Sequence, residues 1–185
     1  GHVGRALAAI LAPLPNFDIT MVDISQNRLP DPAIENTSTV VATEPTLLVP
    51  HAPKNAQHFV MTHDHAIDLA LCHALISVDA SIGLIGSASK WARFQKRLGA
   101  FGHPSAQISG ITCPIGDPAV GKHPQAIAVS IAAGLLQRQT VGVATLARPL
   151  IHICRSRRRR QCGTRHAQSS KKKKDTGAGK NAQEL

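Results

Sequence analysis

The first residues whose types and spacing could do chemistry are two glycines at the start of the chain, Gly1 and Gly4. They match the second and third glycines of a Gly-x-Gly-x-x-Gly loop, which let a phosphate approach the backbone and let the next helix pack on the sheet. The apolar stretch over residues 5–12 predicts that helix. The usual preceding strand, first glycine and initiator Met are missing, so we interpret the chain as a fragment that begins within a domain. A glycine-flanked helix start in an unrelated domain is the alternative.

An acidic residue follows at the distance expected for a nucleotide-binding domain. Residues 17–23 alternate enough in hydrophobicity to predict a strand, and this strand ends at Asp23, 19 positions after Gly4. A dinucleotide-binding unit places the carboxylate that binds a ribose 2′-hydroxyl at about this distance. NAD(P) binding by an oxidoreductase is therefore one predicted function, although no second folded domain for a substrate is visible. A turn or helix-capping aspartate is the alternative.

Two histidines separated by one residue, His63 and His65, come at the end of a predicted buried strand. With the acids around them they resemble the start of the metallo-β-lactamase metal motif. That motif needs an Asp and a His two and three positions after its second His, where this chain has Ile67 and Asp68, so no metal ligands are predicted. We expect the two histidines to line a ligand crevice at the end of the strand, or to form a plain polar corner.

Two further loops carry groups that could hold an anion. The small-residue turn at 86–89 leads into a helix at Lys90, and amide groups at a helix start beside an ammonium group suit a phosphate. Ser87 in this turn is a candidate ligand, and either Ser87 or Ser89 is the candidate helix cap. The loop at 116–124 has backbone freedom at its two glycines and a cation at Lys122. For both loops an ordinary surface turn is the alternative.

Strands and helices alternate along most of the chain, and each longer strand is followed by a polar corner and then a helix. This order is typical of an open α/β sheet. Asp64 is expected to cap the helix that follows the histidine corner. The predicted strands cover 17–23, 57–63 and 81–85, with short extended pieces at 40–42 and 46–50, and the predicted helices cover 5–12, 64–77, 90–98 and 125–137.

Charge divides the 185 residues into two parts. Residues 1–137 contain eight Lys or Arg and nine Asp or Glu, whereas residues 138–185 contain 13 and two, so the net charge of +10 comes from the end of the chain. Its basic runs have no interleaved aromatic residues and predict a disordered tail over 138–185. Nucleic acid is not expected as a partner, and an aberrant C-terminus is a further interpretation of this segment.

Cysteine spacing and hydropathy indicate the cellular compartment in which the protein is expected. The four cysteines have no paired spacing, and no apolar run is long enough to cross a membrane, which favours a cytoplasmic protein without a membrane partner. Cys72 and Cys113 are each expected to be small buried residues.

Several stretches resemble, in order, the C-terminal Rossmann-like domain of the XdhC/CoxI accessory proteins of xanthine dehydrogenase. Together they span residues 1 to about 137, and the ordered set is specific. They are GHVGRAL at 1–7, VMTHDHAID at 60–68, IGLIGS at 82–87 with Lys90 and RF at 93–94, CPIG at 113–116 and GKHPQAIAVS at 121–130.

The resemblance implies a maturation factor. Such a protein binds the molybdenum cofactor, assists its sulfuration with a cysteine desulfurase and delivers it to xanthine dehydrogenase or a related molybdenum hydroxylase. It is an accessory factor without catalytic residues, and a homodimer is compatible with it. The cofactor-binding residues carried over by position are Gly1, Gly4, His63, His65, Ser87, Lys90 and Lys122, to which Asp23 is added for the nucleotide alternative.

The predicted fold is therefore α/β, a Rossmann-like open and mostly parallel sheet over residues 1–137 that lacks its first strand. The family's N-terminal domain is also absent from the sequence. In a doubly wound sheet the first strand is central, so its two neighbours would expose backbone hydrogen-bonding groups. We expect a chain with this gap to be unstable or inactive by itself.

Overall fold

The computed structural model describes residues 1–141 and 150–155, which form a parallel sheet with helices on both faces. The strands are β1 Asp18–Asp23, β2 Thr37–Val41, β3 Gln57–Val60, β4 Ser81–Leu84 and β5 Leu150–Arg155. The α-helices are α1 His2–Leu11, α2 His65–Ser77, α3 Ala88–Ala100, α4 Ser105–Ser109 and α5 Pro124–Val141. Short 3-10 segments lie at Gln26–Arg28, Pro45–His51 and Pro118–Val120.

The sheet has the strand order β2-β1-β5-β3-β4, and every pair of neighbouring strands is parallel. This is the doubly wound order 3-2-1-4-5 with β5 in the central position. The prediction of a Rossmann-like parallel sheet is confirmed.

The central strand comes from the far end of the chain. Asp18 to Asp23 of β1 pair with Leu150 to Arg155 of β5, and the other side of β5 pairs with β3, from Gln57↔Ile151 to Val60↔Cys154. The prediction that the central position is empty is therefore wrong. The prediction of a disordered tail from residue 138 is wrong for 138–141 at the end of α5 and for 150–155. The rest of that predicted tail lies outside the described residues.

Apolar residues on the two faces of the sheet make two separate cores. Leu7 and Leu11 of α1 pack with Ile131 and Leu135 of α5 over one face, where Phe59 points from β3. On the other face, α2 and α3 contribute Leu71, Cys72, Leu75, Phe94 and Leu98. Among the described residues, no helix combines the length and apolar character needed to cross a bilayer.

Short polar side chains cap α2 and α3, as expected, although α1 and α3 begin at His2 and Ala88, before the predicted starts at 5 and 90. Asp64 caps α2, because its side chain accepts hydrogen bonds from Ala66 N at 2.8 Å and Ile67 N at 3.3 Å. Ser87 caps α3 and accepts from Lys90 N at 3.2 Å. The extended piece predicted at 46–50 is wrong, since Pro45–His51 is a 3-10 segment.

Gly83 in β4 gives a test of the packing on the α1/α5 face. A Cβ atom at this position would lie 2.8 Å from Ile115 Cγ2 and 2.8 Å from Phe59 Cδ1. We expect Gly83→Ala to lower the free energy of unfolding by about 1–3 kcal/mol through overpacking, measured by urea denaturation. Gly99→Ala in α3 is the matched control, because nothing lies within 4 Å of its added Cβ. An equal effect of the two substitutions would contradict this description of the core.

Candidate functional site

The predicted site segments lie along one edge of the sheet. Because the strands are parallel, the corners after β1, β3 and β4 lie at the same carboxyl edge. Only six residues separate α1 from β1, so the N-terminal end of α1, where Gly1 is the N-cap, lies back at this edge. The segment after Thr112 runs parallel to β4, since Ile115 N donates to Leu84 O at 3.2 Å, and it carries the loop with Lys122 to the same edge.

The glycines at the chain start lie at the beginning of α1. Gly1 is its N-cap and has no side chain to cap the helix, and Gly1 O accepts from Arg5 N at 2.9 Å. Gly1 and Gly4 are both buried, and α1 packs closely against the sheet and α5. Gly4 therefore lies on the buried side of α1.

Asp23 ends β1 at this edge, but its carboxylate is turned inward. It is 2% exposed, its Oδ1 accepts from Ile24 N at 2.8 Å, and Arg28 Nη1 lies 3.9 Å from the same oxygen. The side chain thus stabilises the turn after β1.

The two histidines of the corner after β3 are exposed. The His65 ring packs edge-on against Phe94, with 6.3 Å between the ring centroids. Asp68, which the metal motif would place beside them, is fully buried and bound elsewhere. Within the described part of the chain, no group of three or more His, Cys, Asp or Glu residues could hold a metal ion.

A buried ion pair joins the corners after β3 and β4. Asp68 of α2 is 0% exposed and Lys90 of α3 is 6% exposed, and Lys90 Nζ donates to Asp68 Oδ2 at 2.5 Å. Lys90 Nζ also donates to Ile85 O at 2.8 Å, directly after β4, and lies 5.3 Å from the Phe94 ring centroid. Lys90 was predicted as a cation near a ligand, and its ammonium group instead points into the protein.

Thr62 connects the same carboxylate to β3. Its backbone N donates to Asp68 Oδ1 at 3.2 Å, and its Oγ1 donates to the same oxygen at 2.5 Å. Thr62 Oγ1 also accepts from Asp64 N at 3.1 Å. Burial raises the pKa of Asp68 above 3.8, and the hydrogen bonds from Lys90 and Thr62 oppose this shift.

Two thiols lie beside this pair. A Cβ at Gly86 would lie 2.8 Å from Lys90 Cδ and 3.5 Å from Cys113 Sγ. The Lys90 side chain and the Cys113 thiol therefore both pack against Gly86. Burial raises the pKa of Cys113 to about 11, an effect that the Lys90 charge opposes. Burial, together with the Asp68 charge, raises the pKa of Cys72 to about 12. Both thiols are therefore protonated at neutral pH, and Cys72 is a buried core residue as predicted, whereas Cys113 is half-buried.

Cys113 should react slowly with alkylating reagents. A pKa of about 11 in place of 9.0 lowers the thiolate fraction at neutral pH by about 100-fold. We expect iodoacetamide to modify Cys113 about 100-fold more slowly in the native protein than in urea, measured by peptide mass spectrometry that separates the four cysteines. Equal rates in the two conditions would contradict the buried environment of this thiol.

The remaining predicted residues are exposed. Ser87, at the start of α3, exchanges a hydrogen bond with Ser89, with 2.9 Å between the two Oγ atoms. Lys122 is exposed in the loop before α5. This loop is held at its base, since Asp117 N donates to Ser130 Oγ at 2.6 Å, and Gly121 has a positive φ of 87°.

A separate groove of about 560 Å³ lies between α5 and the strands β3 and β4. Its wall includes Gln57 and Ser81 at the amino edge of the sheet, and Gln137 and Arg138 near the end of α5. None of the predicted cofactor-binding residues lines it.

Sequence reasoning missed the central role of Asp68 and Thr62. The spacing held a signal for Asp68: it is four positions before Cys72 and seven before Leu75, both buried, so it lies on the core-facing side of α2. A carboxylate on such a face needs a cation, and Lys90 is the buried cation next along the chain. No comparable local signal identifies Thr62.

Comparisons with known proteins identify the family and a similar fold. The family described as the XdhC Rossmann domain matches residues 1–135. A solved structure described as a xanthine dehydrogenase from Bacillus halodurans is similar with a TM-score of 0.61 and 20% sequence identity, a likeness of fold. The similarity covers 78% of this chain and 42% of that one, so the chain spans less than half the length of that protein. No curated protein matches the sequence.

Proposed function

Because this chain belongs to the XdhC Rossmann domain family, we propose that it acts in the maturation of xanthine dehydrogenase or a related molybdenum hydroxylase. It binds the molybdenum cofactor as cargo at the carboxyl edge of the sheet and hands it to the apo-enzyme. The match over residues 1–135 is the observation that carries this proposal.

The chemistry of the edge supports an anionic, phosphate-bearing cargo. The N-terminus of α1 points toward this edge, and the N-terminal end of a helix attracts negative charge. The hydroxyl of Ser87 and the exposed ammonium of Lys122 add a donor and a positive charge on neighbouring loops. His63 and His65 add two exposed imidazoles at the corner after β3. These groups would hold the cofactor phosphate, while Lys90 stabilises the turn after β4 from inside the protein.

The partners follow from this role. The apo-molybdoenzyme receives the cargo, and a cysteine desulfurase supplies the sulfur for its sulfuration. The chain itself provides binding and protection and needs no catalytic residue for delivery. A homodimer is compatible with this role.

Equilibrium binding tests the proposal. Residues 1–185 are mixed anaerobically with molybdenum cofactor released from a molybdoenzyme, and the bound fraction after ultrafiltration is measured by elemental analysis of molybdenum and by pterin fluorescence. We expect saturable binding that Lys122→Ala weakens about tenfold. Lys54→Ala is the matched control, because Lys54 is also exposed but precedes β3, at the opposite edge of the sheet.

Two results would overturn the proposal. One is the absence of saturable binding by a protein that unfolds cooperatively. The other is an equal loss of affinity in Lys122→Ala and Lys54→Ala, which would indicate non-specific charge attraction. A parallel titration with NADPH tests the oxidoreductase alternative, in which Asp23→Ala would abolish nucleotide binding while leaving binding of the molybdenum cofactor intact.

A further inference from the structure

We propose that Asp68 and Lys90 are positioning residues, whose buried ion pair fixes the spacing between the two ligand-facing corners after β3 and β4. This inference rests on the proposed function, since it identifies the contacts that fix the position of the two corners of the cargo site. The two corners are defined here as the β3 corner, residues 61–65, and the β4 corner, residues 85–89.

The carboxylate of Asp68 holds the β3 corner. It accepts two hydrogen bonds from Thr62, from the backbone N at 3.2 Å and from Oγ1 at 2.5 Å. The same Oγ1 accepts from Asp64 N at 3.1 Å. The exposed histidines of this corner are therefore carried by backbone whose position depends on one buried carboxylate.

The ammonium of Lys90 holds the β4 corner. It donates to the carbonyl of Ile85 at 2.8 Å, and its side chain crosses Gly86, where a Cβ would be 2.8 Å from Lys90 Cδ. The backbone N of Lys90 donates to Ser87 Oγ at 3.2 Å. Ile85 and Ser87 of this turn are thus both hydrogen-bonded to the same lysine.

The 2.5 Å contact between Lys90 Nζ and Asp68 Oδ2 connects the two corners. Each corner follows a different strand, and β3 and β4 are neighbours in the sheet, so the pair spans adjacent strand ends. A buried ion pair contributes little net stability compared with apolar residues of similar volume, because both charges lose their hydration. Its geometric effect on the corners is therefore separable from its effect on folding.

A neutral replacement of both residues separates the two effects. In the double variant Asp68→Asn with Lys90→Met, the asparagine side chain keeps an acceptor for Thr62 and no buried charge remains, but Ile85 O loses its donor. We expect this double variant to melt within about 5 °C of the wild type. We also expect it to bind the molybdenum cofactor at least tenfold more weakly, and the amides of the β4 corner to exchange with deuterium at least tenfold faster. The matched control is Asp79→Asn with Lys96→Met, which removes the same two charges from exposed positions on the same part of the chain.

The outcomes are distinguishable. If the wild type does not bind the cofactor, the proposed function fails, and hydrogen exchange at the β4 corner still tests the positioning role. If the wild type binds and the folded neutral variant binds equally well with unchanged exchange, the pair is structural and this inference is overturned. Should the neutral variant fail to fold, Lys90→Arg provides the second measurement. It keeps the positive charge but changes the reach to Ile85 O, so a folded Lys90→Arg protein with wild-type affinity and exchange also overturns the inference.

Discussion

A chain that ends at Val141 is expected to lose its cooperative unfolding transition, whereas a chain that ends at Arg155 keeps it. Strand β5 pairs in parallel with β1 on one side and with β3 on the other, so its removal opens the middle of the sheet. The backbone groups of two buried strands would then lose their partners, at about 1–3 kcal/mol for each group left unsatisfied. Circular dichroism and calorimetry on the two truncated proteins measure the difference.

The chain truncated after Arg155 serves as the control for removing the basic runs. A substitution within the full chain gives a second test, because proline has no N–H for the ladder and is excluded from central strands. We expect Ile153→Pro to abolish the transition as the truncation at Val141 does. A cooperative transition of normal enthalpy in the chain 1–141 would show that β5 is not needed for the sheet, and the expectation of an unstable gapped domain would also be contradicted.

The elements that could be predicted from the sequence are those determined by local signals. The strand over residues 17–23, the cap at Asp64 and the cap at Ser87 follow from alternation and from short polar side chains before an apolar helix. Their order along the chain was sufficient to predict the fold class, because alternating strands and helices form parallel sheets.

The central strand could not be predicted in this way. Residues 150–155 are six residues between a segment without clear periodicity and a basic run, and their pairing with β1 and β3 joins parts of the chain about 90 to 130 residues apart. Such a pairing is set by the vacancy between two strands that are distant in sequence. No local pattern in the sequence carries that information.

The corners of the candidate site were expected along one edge of the sheet, where the structure places them, but the hydrogen bonds and the ion pair that join them were not predicted. Strand ends and glycines predicted the corners, since open α/β sheets place ligands at the carboxyl edge. The direction of the Lys90 side chain was predicted wrongly, because an ammonium group is usually exposed and its partner, Asp68, comes 22 residues earlier on another helix. Only the fold brings the two side chains together across Gly86.

The ion pair itself gives the second large expected effect, because removal of one partner leaves the other as a buried charge. We expect Lys90→Met to lower the free energy of unfolding by about 3–5 kcal/mol at neutral pH, measured by urea denaturation. Lys96→Met, on the exposed side of the same helix, should change it by less than about 0.5 kcal/mol. The comparison separates loss of the ion pair from loss of a lysine.

The loss of stability caused by Lys90→Met should depend on pH, and the protonation of Asp68 determines the direction of this dependence. Burial already raises the pKa of Asp68 above 3.8, and the loss of Lys90 removes the contacts that oppose this shift. The folded variant then keeps a proton that the unfolded chain has lost, so its stability is retained near pH 3.8 and lost as the pH rises through the raised pKa. The deficit relative to the wild type should therefore be smaller at about pH 5 than at about pH 8. Combining Lys90→Met with Asp68→Asn should remove this dependence, and a deficit that stays the same at both pH values in the single variant would show that Asp68 is not the charge left buried.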